Sequence, residues 1–392
     1  MFDAKAEAAS VLPEVIEWRR HLHENPEIGF DLPNTVKFVC DKLDEFGLPY
    51  KVDQGSKCSV VAEINPGAAG RCIALRADMD ALPVKEETGL PFASKVDGRM
   101  HACGHDAHTA CLLGTAKVLA AHKDEIHGRV KLIFQPAEEL GTGSVGICES
   151  GALDDVDEIV GMHVGNINAG SKPGTLVFAR DAMMATMDKF TIDVVGKGAH
   201  GALPHLSVDP VVIGSYIVCA IQEMIPREID ATEPVVVTTG VFQSGTAFNV
   251  IPDTAHLEGT TRVLHADTRD FVERRLGEIA TNVAKAYRAE VVYKFFRQPP
   301  PLVNTPEVVD KVMACAKELY PEDTVYQKKP VMGGEDFAWY LEKKPGCFFL
   351  LQNPKEIDGQ TWGQHNCKFA LAEEYFDRPI AVYTGYVMNQ LG

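Results

Sequence analysis

The eight residues His101-Ala-Cys-Gly-His-Asp-Ala-His108 hold three histidines, one cysteine and one aspartate. No other stretch of the 392-residue chain concentrates metal-binding atoms in this way. Three later segments carry the same kinds of atom: Gln135-Pro-Ala-Glu-Glu139, Met162-His163-Val164 and Gln364-His365-Asn366. A fold that gathers all four around metal ions is the reading that accounts for them together.

The surrounding pattern places these segments at strand ends. Cys58–Ile64 and Cys72–Arg76 read as short buried strands separated by the turn Asn65-Pro-Gly, and the second runs into Ala77-Asp78-Met79-Asp80. Val130–Phe134 runs into Gln135-Pro-Ala-Glu-Glu139, and Glu158–Met162 ends at His163. Helices are expected at 5–24 from the spacing of its apolar positions, at 33–46 with Gly47 as its C-cap, and at 106–122, which is rich in Ala and Leu. Alternating strands and helices predict an α/β domain, in which sites lie beyond the C-terminal strand ends. Near Met187 the pattern changes. Residues 188–195 alternate as a half-buried strand does, and further strands and two helices follow, up to the linker-like Gln298-Pro-Pro-Pro301. The expected architecture is therefore an α/β catalytic domain, with a mixed sheet flanked by helices, over 1–186 and 299–392. An inserted α+β lid or dimerisation domain covers 187–298.

Composition narrows the partners. The formal net charge of −17 opposes binding to nucleic acid or an anionic membrane surface. No apolar run is long enough to span a bilayer. The N-terminus lacks a basic segment followed by an apolar core, and the ten cysteines contain no CxxC pair, so a reduced cytoplasmic setting is expected. Cys103 alone among the cysteines is flanked by histidines.

Zinc accepts thiolate, imidazole and carboxylate ligands, whereas manganese prefers oxygen and tolerates imidazole. Cys103 and His105 are separated by one glycine, so both can reach one region. Glu138 and Glu139 are adjacent and cannot point the same way at a strand end, so one can bind metal while the other faces a water. Each piece alone has an ordinary explanation: a strand-end histidine is usually a satisfied polar group, and a Glu-Glu pair is usually solvated surface. Their convergence on the ends of one sheet makes the metal site.

Arg76-Ala-Asp-Met-Asp-Ala-Leu-Pro83, His101–His108, Gln135–Glu139, Gly196-Lys-Gly-Ala-His-Gly201, Phe248-Asn-Val-Ile-Pro252 and Gly333-Gly-Glu-Asp-Phe337 together resemble the hallmark segments of a family of metal-dependent amidohydrolases. That family includes hippurate hydrolase and the plant auxin–amino acid conjugate hydrolases, with aminoacylase and zinc carboxypeptidases as distant relatives. The resemblance implies two divalent ions per subunit, zinc or manganese foremost and nickel or cobalt as alternatives. It implies the ligands Cys103, His105, Glu139, His163 and His365, with Cys103 bridging. His101 and His108 stay outside the ligand set, as packing or outer hydrogen-bonding groups. Glu138 becomes the general base for a metal-activated water, and Asp80 the carboxylate that orients a ligand or the base, with Asp78 beside it.

In the inserted domain the resemblance assigns His200 to the scissile carbonyl and Asn249 to the substrate carboxylate. Arg262 could pair with that carboxylate bidentately or form a surface ion pair. The activity implied is hydrolysis of N-acyl or N-aroyl amino acids to a carboxylic acid and a free amino acid, in a homodimer or higher homo-oligomer. The rivals are a dipeptidase or carboxypeptidase of the same fold and a catalytically silent metal-binding module. Glu138 argues against the last, since a pure binding site needs only ligands.

Overall fold

The computed structural model describes residues 2–167, 171–326 and 329–392, and the chain divides into two compact units. The first comprises Met1–Met183, Val303–Lys329 and Asp336–Gly392. The second comprises Met184–Leu302 and Pro330–Glu335.

The first unit is built on an eight-stranded mixed sheet. Its middle strands, in spatial order Arg129–Gln135, Cys72–Asp78, Glu158–Gly165 and Gly346–Gln352, run parallel to one another. Antiparallel strands flank them: Val60–Ile64 pairs with Arg129–Gln135 on one side, and Thr175–Phe178 pairs with Gly346–Gln352 on the other. The middle strands are buried almost end to end, as a sheet covered on both faces requires. Three outer strands, Tyr50–Val52, Thr175–Phe178 and Thr324–Tyr326, escape a sequence reading because three or four residues are too few to display alternation.

The helices Ala4–Glu24, His105–Ala121, Pro306–Leu319 and Asp377–Leu391 join one core with Leu75, Leu132, Val160 and Phe349 of the sheet. Asp3 caps the first helix by accepting from the N–H groups of Lys5 and Ala6. Gly114 permits a close approach of helices here: a Cβ at that position would lie 2.6 Å from Val15 and 3.0 Å from Ile380. On the opposite face, a Cβ at Gly161 would lie 2.6 Å from the Phe337 ring, so that ring packs directly on the strand.

Parallel strands deliver their C-terminal ends to one edge. Asp78 pairs in register with Gln135 there, and His163 lies near the end of the adjacent strand. Among the described residues no helix is long and apolar enough to cross a membrane.

The second unit is a four-stranded antiparallel sheet in the order Val235–Ser244, Thr254–Val263, Asp188–Val195, Glu290–Phe296. Helices Pro210–Glu228 and Ala266–Ala286 supply Ile213, Ile217, Ile221, Val272, Leu276 and Ala280 to a core with Phe190, Ile192, Val194 and Leu257. Pro330–Glu335 lies outside the range 187–298 read from sequence. It belongs to this unit because Ala185 N–H donates to Gly333 O (2.8 Å) and Met184 bridges to Val331.

Asp188 ties the unit together. It accepts Arg269 Nε (2.9 Å) and Nη2 (2.5 Å) and the Gln298 N–H (3.0 Å), joining its first strand, its second long helix and its exit. Both side chains are buried. Asp188→Ala leaves a buried guanidinium without its carboxylate and is expected to destabilise this unit by about 3–5 kcal/mol, read as a lowered urea midpoint for its unfolding.

Candidate metal centre

Five donor groups converge at the strand-end edge of the first unit. Cys103 Sγ lies 3.3 Å from His163 Nε2, and His365 Nε2 lies 3.4 Å from Glu139 Oε2. His105 Nε2 is 3.8 Å from Glu138 Oε2 and 4.0 Å from Glu139 Oε1. Cys103, His105 and His163 form one group with ligand atoms all within 4.8 Å of one another, and Cys103, Glu139 and His365 form a second. Cys103 belongs to both, which is the placement a bridging thiolate needs.

Backbone geometry brings them together. Gly104 has φ +105°, and a Cβ there would meet Val164 at 2.7 Å, so only glycine can link Cys103 to the helix that starts at His105. The His365 N–H donates to Ala102 O (2.7 Å), which joins the last motif to the first, and His365 itself sits at φ +65°. Ala137 at φ +54° turns the chain out of its strand into the short turn Glu138–Leu140. Asp80 braces that turn by accepting the N–H groups of Glu138 (2.9 Å) and Glu139 (3.2 Å). Asp80 therefore positions both glutamates through their backbone.

The ring tautomers suit metal ligation. His105 Nδ1 donates to Asp80 O (2.9 Å) and His163 Nδ1 donates to Val164 O (2.7 Å), which aims each Nε2 into the cluster. His105 Nε2 and Glu139 Oε1 are buried and, among the described residues, have no hydrogen-bond partner. Buried polar atoms are rarely left so, and a metal ligand is a standard reason. The charges make the same demand. Burial disfavours a protonated His105, yet Asp78 and Cys103 outweigh it and hold the ring protonated well above its ordinary range. A divalent cation among these atoms answers the same negative groups. Burial, with His108 and His105 adding to it, keeps His163 neutral. Cys, His and carboxylate donors in this arrangement fit zinc or manganese.

His108 is engaged on both sides, bonding Asp78 Oδ1 through Nδ1 (2.6 Å) and accepting the Val164 N–H at Nε2 (2.9 Å). His101 is buried, and burial pushes its pKa down to about 3. Three residues quoted in the motifs without a role prove to be central: Arg76, Gln135 and Asp336. Arg76 binds Asp78, Asp336 and Gln135 at 2.8–2.9 Å. The available signal was an arginine inside the otherwise apolar run Cys72–Ala77.

The residues expected from the inserted domain lie in the second unit. His200 is exposed, and its Nδ1 accepts the Ala202 N–H (3.0 Å), which leaves Nε2 as the ring's donor. Asn249 lies in an exposed turn, where its carbonyl accepts the Gly201 N–H (2.8 Å). Arg262 is half-buried and donates to Thr260 Oγ1 and Thr261 O.

A sequence profile of peptidase family M20/M25/M40 matches residues 74–389. The chain belongs to the M20 peptidase family. It is 40% identical to thermostable carboxypeptidase 1 of Saccharolobus solfataricus, over 92% of this chain and 91% of that one. It is 35% identical to hippurate hydrolase of Campylobacter jejuni, over 97% of this chain and 100% of that one. A Bacillus subtilis crystal structure, named as a dinuclear metal-binding peptidase of the M20 family, superposes with a TM-score of 0.84 at 35% identity, covering 98% of this chain and 99% of that one. The α/β catalytic fold is that of M20 peptidases, and the chain is a hydrolase of this family, among relatives that include amidohydrolases.

Cys103→Ser and Glu139→Gln are each expected to lower bound metal, measured by elemental analysis after dialysis. Cys111→Ser and Cys347→Ser, in the buried core, are expected to retain it. Equal metal loss in all four would remove Cys103 from the centre.

Proposed function

We propose that this M20 hydrolase cleaves the amide bond of N-acyl or N-aroyl amino acids, releasing a carboxylic acid and a free amino acid. Two divalent ions, zinc or manganese foremost, are held by Cys103, His105, Glu139, His163 and His365. When bound, such ions supply Lewis acidity to a carbonyl oxygen and acidity to water. The observation that carries the reading is Glu138. It is a buried carboxylate beside the donors, with Oε2 turned toward His105 and Oε1 accepting the Asp336 N–H (3.2 Å). In this reading Glu138 Oε2 takes a proton from the attacking water and returns it to the leaving amine. Asp80 keeps the two glutamates apart in their tasks by holding both backbone N–H groups.

For the second unit we propose the motif-derived roles. His200 Nε2–H donates to the scissile carbonyl oxygen, while Asn249 and Arg262 bind the substrate carboxylate. A homodimer through this unit is proposed as well. Val211, Val212 and Tyr216 are exposed on the helix Pro210–Glu228, and Val236 and Phe242 are exposed on the edge strand Val235–Ser244. An apolar helix stripe beside an unpaired edge is a self-complementary surface.

The second reading, a carboxypeptidase or dipeptidase using the same centre, is favoured by the name of the Saccharolobus relative. Hippurate, N-acetyl amino acids and dipeptides, each offered with zinc or manganese, separate the two. Turnover of the N-acyl substrates is expected, with Glu138→Gln retaining metal while kcat falls by roughly 10²–10⁴-fold. Turnover confined to peptides would transfer the assignment to the second reading, and near-parental kcat in Glu138→Gln would remove the base. For the dimer, sedimentation equilibrium is expected to give twice the chain mass, and Val212→Glu with Tyr216→Glu to give the single-chain mass.

A further inference from the structure

Arg76 occupies an expensive position. It is 1% exposed, in the middle of a strand whose residues are all buried. A buried guanidinium costs several kcal/mol in desolvation, and an apolar side chain of similar volume commonly serves stability as well. What it touches supplies another reason for it. Nη1 donates to Asp78 Oδ2 (2.8 Å), Nη2 to Asp336 Oδ1 (2.8 Å) and Nε to Gln135 Oε1 (2.9 Å).

The two carboxylates it joins lead to different parts of the centre. Asp78 accepts His108 Nδ1 through Oδ1 (2.6 Å), and its Oδ2 lies 3.6 Å from His105 Nε2. Asp336 leads to the other side. Its carboxylate also accepts Gln135 Nε2 at 2.8 Å on both oxygens and the Ser144 N–H at 3.1 Å, and its carbonyl accepts Ser144 Oγ at 2.9 Å. Held on both side chain and main chain, Asp336 directs its own N–H at Glu138 Oε1 (3.2 Å). Glu138 Oε2 is then the oxygen nearer the donors, 3.8 Å from His105 Nε2.

We propose that Arg76 and Asp336 are positioning residues for Glu138: one buried guanidinium sets the distance between the histidine side and the base side of the centre, and the Asp336 N–H selects which carboxylate oxygen faces the donors. The inference rests on Glu138 being the base. Neither residue touches the reacting atoms; both act through Glu138. A base that must accept and then return a proton depends on a fixed orientation, and small displacements are costly in rate.

The test compares Asp336→Asn and the gentler Ser144→Ala with the parent, all loaded with zinc or manganese. Ser144→Ala removes only the hydroxyl that holds the Asp336 carbonyl, so folding is retained. On the N-acyl substrate the parent uses best, Asp336→Asn is expected to lower kcat by about tenfold to a thousandfold, a share of the roughly 10²–10⁴-fold that a positioned base supplies. KM and bound metal stay near parental values. Ser144→Ala is expected to show a smaller loss of kcat with the same signature. A kcat per folded molecule within about threefold of the parent in both variants overturns the proposal, as does a loss that tracks loss of metal. Should Asp336→Asn not fold, Ser144→Ala alone decides by the same criteria. Crystals of the loaded proteins give a readout independent of turnover: the Glu138 carboxylate is expected to rotate away from residue 336, and an unmoved Glu138 overturns the proposal. A parent that binds metal but hydrolyses no N-acyl amino acid rejects the substrate reading instead, and the position of Glu138 in the crystals then decides the positioning role.

Discussion

Negative charge crowded into a small buried volume is the constraint on which the first unit depends. Asp78, Asp80, Glu138 and Asp336 are all buried at one edge of the sheet, with Glu139 beside them and Cys103 among them. Such a concentration survives only where each charge is answered. For Asp78 the answer is internal. Burial pushes its carboxyl up, but His105, His108 and Arg76 outweigh burial and hold it well below the usual range. For Glu139 the natural answer is a cation bound among the same donors; burial and Glu139 hold the Cys103 thiol protonated, and a cation there would take that proton's place.

The rest of the unit can be understood as a device for holding that edge. Parallel strands bring Asp78, Gln135 and His163 to adjacent ends. Two non-regular backbone positions turn the chain sharply: Gly104, between Cys103 and the helix that starts at His105, and Ala137, after the strand Arg129–Gln135. The adjacent glutamates illustrate the point. Ala137 in the left-handed region and the Asp80 carboxylate on both N–H groups fix a single short turn, from which Glu139 reaches His365 while Glu138 reaches the Asp336 N–H. Two side chains of the same type, side by side, thereby acquire different surroundings.

The second unit solves a separate problem. It has its own core and its own buried tie, Asp188 to Arg269 and Gln298, which closes the inserted chain where it enters and leaves. Its sheet leaves Val235–Ser244 as an edge, and the neighbouring helix carries exposed valines and a tyrosine.

Residue type and short-range spacing by themselves determined a good deal about this protein. They determined that Cys103 and His105 lie one glycine apart, that Asp78, Gln135 and His163 lie toward the ends of buried strands, and that the pattern changes near residue 187. The motifs that place the chain among M20 hydrolases are likewise local strings. Only the tertiary structure decided the pairings. Arg76 meets Asp336 across 260 residues, Glu138 meets the Asp336 N–H across 198, and Gln135 meets the same carboxylate across 201. It also decided that Pro330–Glu335 belongs with the second unit and that the ring Nδ1 atoms of His105 and His163 bond carbonyl oxygens. The physical reason is the order of the strands. Cys72–Asp78 lies between Arg129–Gln135 and Glu158–Gly165 because of how whole faces pack, and no local periodicity records which strand end will be the neighbour of which.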